Sequence, residues 1–138
     1  MELSEQARVQ CENRGVDADA LVQELCEMKL TDVGADVPWY KVPVDMGDTL
    51  LSVIIQDGKI DSVKQTENVS VNASRPVPPL SEHAKKRMRE RGVTMADIEE
   101  AWAHKRGRGA KHVGTRATII VGTLRGKGET IVTVYRTE

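Results

Sequence analysis

The chain has 138 residues, of which 39% are apolar and 30% are charged, and its formal net charge is −1. This composition is typical of a globular protein and excludes wholesale disorder. The longest uncharged apolar runs, Leu50–Ile55 and Ala117–Leu124, are far shorter than the ~20 residues that a membrane span needs. Because the acidic N-terminal segment also lacks the pattern of a secretion signal, we expect a soluble cytoplasmic protein without a membrane partner.

The two halves of the chain carry opposite charges. Residues 1–74 hold 6 Lys and Arg against 14 Asp and Glu, whereas residues 75–138 hold 14 against 7, so the net charges are −8 and +7. A basic segment of this kind favours an anionic partner such as nucleic acid. The acidic half is a candidate for covering the basic half when no partner is bound.

The two halves also share a sequence pattern. Leu3–Val16 aligns without a gap to Leu80–Val93, and the same offset of 77 residues, continued to Cys26 and Ala103, gives seven identities in 24 positions. Chance would give about one or two identities at average residue usage. The pattern therefore indicates an internal duplication.

The ends of the two copies agree as well. Thr49–Leu51 matches Thr118–Ile120, and Lys59–Glu67 matches Thr130–Glu138, with two extra residues of the second copy placed in the turn Arg125–Glu129. Loops tolerate such insertions. These matches divide the chain into three expected segments: an acidic degenerate repeat (1–67), a proline-containing linker (68–79) and a basic repeat with the candidate site (80–138).

Each copy begins with two predicted helices, which are clearest in the second copy. Ser81 is a candidate N-cap and Gly92 a candidate C′ residue for the first helix, whose apolar residues recur at helical spacing. Thr94 is a candidate cap for the second helix, which carries an apolar stripe ending at Trp102.

Strand-like runs follow at 111–113, 117–124 and 130–136, and a glycine-containing turn joins the last two as a hairpin. The predicted fold class is α+β: two tandem repeats, each with two helices followed by a three-stranded antiparallel sheet. A unit of about 60 residues is marginally stable alone. We therefore expect the repeats to pack on each other with pseudo-two-fold symmetry.

Three polar residues of the third predicted helix form the strongest candidate site. His83, Arg87 and Arg91 are spaced i, i+4 and i+8, so they share one helix face beside the apolar stripe. A group that titrates near neutrality and two fixed cations suit phosphodiester cleavage, because the histidine can move a proton while the arginines stabilise phosphate charge. The alternative is an ordinary basic, solvated helix face.

The two repeats differ at the polar positions and agree at the scaffold positions. On the last strand, Thr133 and Tyr135 are alternate residues that share one face. The replacements in the first repeat are Gln6 for His83, Gln10 for Arg87, Ser62 for Thr133 and Lys64 for Tyr135, and only Arg91 keeps its counterpart, Arg14. This difference favours a site in the second repeat alone.

The segment His83–Val93, the helix after it and the terminal strand Ile131–Tyr135 resemble the small toxin domains of the RelE and BrnT type. These domains belong to a larger grouping of barnase-, EndoU- and colicin-like ribonucleases of bacteria and phages. The resemblance covers residues 80–138 directly and residues 3–67 only through the internal repeat. It implies metal-independent RNA cleavage without a cofactor, in which a ribose 2′-OH attacks the adjacent phosphate.

The resemblance also implies roles for five residues of the second repeat. His83 would act as the acid or base, Arg87 and Arg91 would clamp the phosphate, and Thr133 and Tyr135 would line the same cleft. A toxin domain of this kind usually stands alone, so the fused acidic copy departs from the pattern. We expect the first repeat to be regulatory.

A second group of cations follows the fourth predicted helix. The candidates for contact with nucleic-acid phosphates are Lys105, Arg106, Arg108, Lys111 and Arg116, although a solvated loop would have the same composition. Trp39 and Trp102 fit core anchors better than base-stacking platforms. No Cys-x-x-Cys or Cys/His cluster is present, so no metal site is expected.

Three functions compete. The first is a toxin-like endoribonuclease, and the second is a non-enzymatic phage- or plasmid-type inhibitor or decoy built on a duplicated toxin scaffold. The third is DNA binding through a helix-turn-helix, which the acidic helix at 95–103 disfavours. The expected partners are RNA or another anionic ligand at the basic repeat, an antitoxin or host protein, and a second copy of the chain in a homodimer.

Overall fold

The structure, a computed structural model, describes residues 2–31, 33, 36–47, 49–65, 76–103 and 110–137. Within these residues each half of the chain has two helices followed by three strands, and the α+β class is confirmed. The helices are α1 (Glu5–Asn13), α2 (Ala18–Glu27), α3 (Glu82–Glu90) and α4 (Met95–Ala103). The strands are β1 (Trp39–Asp45), β2 (Leu50–Gln56), β3 (Lys59–Gln65), β4 (Lys111–Val113), β5 (Ala117–Leu124) and β6 (Gly128–Arg136). None of the described helices has the length and apolarity needed to cross a membrane.

The helices of the second half begin and end at the predicted capping residues. Ser81 Oγ accepts a hydrogen bond from the Ala84 backbone N–H at 3.0 Å. Gly92 has a φ of 66°, which glycine adopts without the usual side-chain clash. Thr94 and Asp97 form a reciprocal pair, in which each side chain accepts from the other's backbone N–H, at 3.2 and 3.1 Å. These caps confirm the predicted helix boundaries.

The six strands form one antiparallel sheet. The strand order is β3-β2-β1-β5-β4. The strand β6 pairs with β5 along the side opposite to β1 and β4. The two halves meet where β1 pairs with β5, at Tyr40 and Leu124 and at the adjacent pair. Close by, the Ala110 N–H donates to the Pro43 carbonyl at 2.9 Å. The outer strand β1 of the first half therefore joins the central strand β5 of the second half, on the side that also carries the short β4.

Each pair of helices covers a different face of this sheet. α1 and α2 pack on the face that carries Tyr40 and, from the second half, Ile120 and Leu124. α3 and α4 pack on the opposite face, over side chains that include Ile119 and Val134. Successive side chains of a strand alternate between faces, so β5 is covered on both. This accounts for its almost continuous burial.

The hairpin of the second half is longer than the sequence alignment indicates. Each hairpin contains a β-bulge, and directly beside it Ile55 pairs with Ile60 in the first half and Val121 pairs with Ile131 in the second. Ile60 and Ile131 are equivalent positions, because each also bridges to the residue that precedes a serine N-cap. The two pairs therefore mark the same point of each hairpin.

Four residues separate the paired positions in the first half (56–59), whereas nine separate them in the second half (122–130). The insertion is therefore five residues long, and the predicted two-residue insertion is wrong. Leu51 corresponds to Ala117 and not to Ile120. The match for Leu51 thus moves by an odd number of residues. An odd shift assigns every side chain of the strand to the opposite face, and a strand that is apolar on both faces does not reveal the error.

Candidate functional site

The imidazole of His83 lies in the first turn of α3 and is completely buried. Its side chain is 0% exposed, and its Nδ1 lies 2.6 Å from Oδ2 of Asp36, whose side chain is 30% exposed. Asp36 belongs to the segment that leads from α2 into β1. The acidic half of the chain thus supplies a carboxylate to the candidate catalytic histidine of the basic half.

Cations of α3 lie around the same carboxylate. Lys86 Nζ is 4.0 Å from Oδ2 of Asp36. The hydrogen bond with His83 is the main cause that holds the pKa of Asp36 below its ordinary value, while Lys86 and Arg87 act in the same direction and partial burial opposes them. Asp36 is therefore an anion at neutral pH. The sequence does not reveal this residue, because no local pattern marks which acidic side chain reaches α3.

The two arginines of the predicted clamp are engaged with other protein groups. Arg91 Nη1 donates to the Val134 carbonyl oxygen at 2.7 Å. Among the described strands β6 pairs only with β5, so this bond supplies a donor to the outer edge of the sheet. Arg87 forms an ion pair with Glu90 on the same helix, and its side chain is 20% exposed. Both side chains thus have a structural role.

Thr133 and Tyr135 point away from the face on which α3 packs. Thr133 pairs with Ile120 and Tyr135 pairs with Thr118, which places their side chains on the face covered by the first half's helices. Thr133 is fully buried, and its Oγ1 has no hydrogen-bond partner in the part of the chain that the structure describes. Neither side chain shares a face with His83.

Tyr135 instead lines a groove of about 380 Å³ that both halves form. The groove also contains Lys111, so it unites two of the predicted site residues. Lys29, at the end of α2, contributes a second cation, and its Nζ lies 5.7 Å from the centre of the Tyr135 ring. Glu27 is the acidic residue of the lining. We refer to this site as the Tyr135 groove.

The backbone of Lys29 has a conformation that lysine rarely adopts. Its φ is 59°, in the left-handed region, directly after the C-cap residue Met28. Glycine is the usual residue at such a position, and Gly15 and Gly92 end α1 and α3 in this way. A non-glycine residue costs roughly 1–2 kcal/mol there. The positive φ and the contact with Tyr135 are seen only in the structure, so no pattern in the sequence marks Lys29.

The remaining predicted nucleic-acid contacts are spread over the second half. Arg116 is exposed in the turn between β4 and β5. Lys105, Arg106 and Arg108 lie outside the described residues. Arg136 lines the Tyr135 groove, but its Nη1 lies 3.5 Å from the position that a Cβ on Gly92 would occupy. Its guanidinium is therefore directed towards the end of α3.

His112, which flanks the predicted cation cluster, is a core residue. It is 1% exposed, and its ring lies 5.2 Å from that of Trp102, itself 3% exposed as expected of a core anchor. Within the described residues neither ring nitrogen of His112 has a hydrogen-bond partner. Burial lowers the pKa of His112, and Glu129 partly opposes this effect. His112 is therefore held neutral in the folded protein.

We expect His112→Phe to increase stability most at acid pH. Unfolded His112 takes up a proton as the pH falls through about 6.5, whereas the folded protein resists protonation until lower pH, so wild-type stability declines over this interval. Phenylalanine keeps the ring beside Trp102 and removes the titration. Thermal melts at pH 7 and pH 5 should show a wider gap between variant and wild type at pH 5. An equal gap at both values would contradict this account.

Within the described residues, no group of three or more His, Cys, Asp or Glu side chains is placed to hold a metal ion. Comparison of the chain with family models, with curated proteins and with solved structures gave no match.

Proposed function

We propose that the protein is a non-enzymatic inhibitor or decoy, built on a duplicated toxin-like scaffold, in which the acidic repeat closes the candidate catalytic site of the basic repeat. The observation that carries this proposal is the burial of His83 against Asp36. A general acid or base must come within hydrogen-bond distance of its substrate. An imidazole without exposed surface does not meet this requirement.

The engagement of the arginines supports the same proposal. A phosphate clamp needs guanidinium donors directed at the ligand. Arg91 donates to the Val134 carbonyl, and Arg87 is paired with Glu90. Of the two side chains that the toxin-like pattern assigns to phosphate, Arg91 thus holds the end of α3 to the edge strand, and Arg87 is paired within the helix.

The ligand that we propose is single-stranded RNA, bound at the Tyr135 groove. Lys29 and Lys111 bring two cations to a concave site, and the Tyr135 ring offers a surface on which a base can stack. The net charge of +7 on residues 75–138 favours an anion on this part of the molecule. A bacterial or phage RNA has phosphates for the two cations and bases for the Tyr135 ring, with or without a host protein bound to it.

We expect Lys29→Gly to increase stability and to weaken RNA binding. Glycine relieves the left-handed backbone, at a gain of roughly 1 kcal/mol, and removes one phosphate contact. The slope of log K against log salt should fall by about 0.7, the value for one phosphate of a single strand. Fluorescence anisotropy with a labelled single-stranded RNA at several salt concentrations measures the RNA affinity and its salt slope. Thermal melts measure the change in stability.

Asp57→Gly is the matched control, because Asp57 also has a positive φ, 52°, and lies in the turn between β2 and β3. It should increase stability and leave RNA affinity and the salt slope unchanged. Unchanged RNA affinity in Lys29→Gly would overturn the assignment of the Tyr135 groove. Fragmentation of the RNA by the wild-type protein would overturn the non-enzymatic proposal.

The second candidate is a metal-independent endoribonuclease regulated by the first repeat. One observation favours it: a carboxylate at Nδ1 of a histidine is the arrangement that orients a catalytic imidazole. RNA cleavage by the wild-type protein that is lost in both Asp36→Asn and His83→Ala would support the nuclease.

We also infer that the two halves are tandem repeats related by a pseudo-two-fold axis. Equivalent backbone hydrogen bonds support this inference: Ser4 N–H to Ile60 O at 2.8 Å with Ser81 N–H to Ile131 O at 3.0 Å, and Val16 N–H to Cys11 O with Val93 N–H to Met88 O, both at 2.9 Å. A two-fold axis that lies in the plane of the joined sheet would exchange the halves and also the two faces of the sheet. The placement of the helix pairs on opposite faces agrees with such a rotation.

A further inference from the structure

A cavity of about 570 Å³ lies between the hairpin of the second half, the N-terminal end of α3 and the segment before β1. This volume lies in the range of small-molecule sites, about 300–1,000 Å³. Its apolar lining includes Val37, Trp39 and Leu80, and its charged rim includes Arg125 and Lys127. An apolar interior with a few charged groups is the usual composition of a ligand site.

The two rim cations come from the five-residue insertion of the hairpin. Arg125 and Lys127 are exposed, and within the described residues neither forms an ion pair with a carboxylate. Gly126 and Gly128 have φ values of 78° and 74°, and a Cβ at either position would meet no atom within 4 Å. The longer turn adds two cations to the cavity.

Arg125 lies over the indole of Trp39. Its guanidinium carbon is 4.8 Å from the centre of the ring, so the cation is held at the cavity by the aromatic face. Trp39 is partly exposed and lies at the start of β1. It therefore offers aromatic surface to a ligand, in contrast to the buried Trp102.

The carboxylates of the lining leave an excess of positive charge at the rim. Asp36 is bound to His83, and Glu82 lies 3.5 Å from Lys85, so both are already compensated. Asp57 is the remaining acidic residue of the lining, so its single negative charge is opposed by the two positive charges of Arg125 and Lys127. The charge at the hairpin thus favours an anionic group, and the apolar part favours a flat ring.

We propose that this cavity binds a small aromatic anion, with its ring against Trp39 and its anionic group between Arg125 and Lys127. A nucleoside monophosphate has this chemistry. The site is distinct from the Tyr135 groove, since the two linings share no residue. The proposal does not depend on whether RNA binds to the groove.

Titration of the full-length protein with AMP tests the proposal. AMP should quench the fluorescence of Trp39 in a saturable manner, while adenosine and inorganic phosphate should each bind at least tenfold more weakly. Trp39→Phe should abolish the fluorescence response and retain AMP binding in calorimetry. Arg125→Gln/Lys127→Gln should weaken AMP binding at least tenfold with an unchanged circular dichroism spectrum.

Arg8→Gln/Arg89→Gln is the matched control, because it removes two exposed cations that do not line the cavity. This variant should bind AMP as wild type does. Equal losses in the two double variants, or an absence of saturable AMP binding, would overturn the proposal. Binding of phosphate alone or of adenosine alone as tightly as AMP would also overturn it. The Lys29→Gly variant should bind AMP normally, so failure of RNA binding and failure of this site are distinguishable.

Discussion

Gly122→Ala is expected to lower the free energy of unfolding by about 2–4 kcal/mol, because no space exists for a side chain at this position. A Cβ there would lie 2.7 Å from the carbonyl oxygen of Lys41, 2.8 Å from Cγ1 of Val42 and 3.0 Å from Cγ2 of Val132. The nearest atom belongs to the backbone of β1 and cannot move without displacing that strand. Gly122 therefore allows β5 to approach β1 where the two halves join.

Urea unfolding of the full-length protein measures this effect, and Gly126→Ala is its control. Gly126 also lies in the second half, has a φ of 78° and would place a Cβ in open space. Its loss should reflect only the left-handed backbone, roughly 1–2 kcal/mol. A loss for Gly122→Ala no greater than that for Gly126→Ala would contradict the close approach of the two strands.

The sequence was sufficient to predict the helices and strands that depend on local signals. Ser81, Gly92 and Thr94 act within one or two helical turns of their own position, so the sequence predicts both helices of the second half. Alternating and apolar runs likewise predict β4 to β6 within two residues. The junction at Tyr40 and Leu124 depends on residues far apart in the chain, and no local pattern specifies it.

The candidate site likewise has features that local signals predict and features that depend on residues far apart in the chain. Spacing places His83 and Arg91 on one face of α3, but whether that face meets solvent or protein depends on the packing of α3 on β6 and on the segment before β1. The charge asymmetry predicts contact between an acidic residue of the first half and the basic half. It does not identify Asp36, because 14 acidic residues lie in that half.

His83→Ala is expected to lower the free energy of unfolding by about 2–4 kcal/mol, since it removes a completely buried ring and leaves a cavity in its place. Gln6→Ala is the matched control, because Gln6 lies two residues after the N-cap Ser4, as His83 does after Ser81, and is exposed. Its effect should be close to zero. Similar losses in the two variants would show that the buried contact with Asp36 adds nothing to the fold.

Asp36→Asn separates the contribution of the contact from that of the ring. The pKa of Asp36 is held below its ordinary value of 3.8, so the contact should stabilise wild type over Asp36→Asn at pH 7. This advantage should disappear as the pH falls below 3.8 and through the folded value, where the carboxylate of the wild type takes up its proton. In the His83→Ala background, Asp36→Asn should have a much smaller effect at neutral pH, because the two residues act as a pair. An equal effect in both backgrounds would mean that Asp36 stabilises the fold through Lys86 or another cation, and the closure of the site by the first repeat would lose its main support.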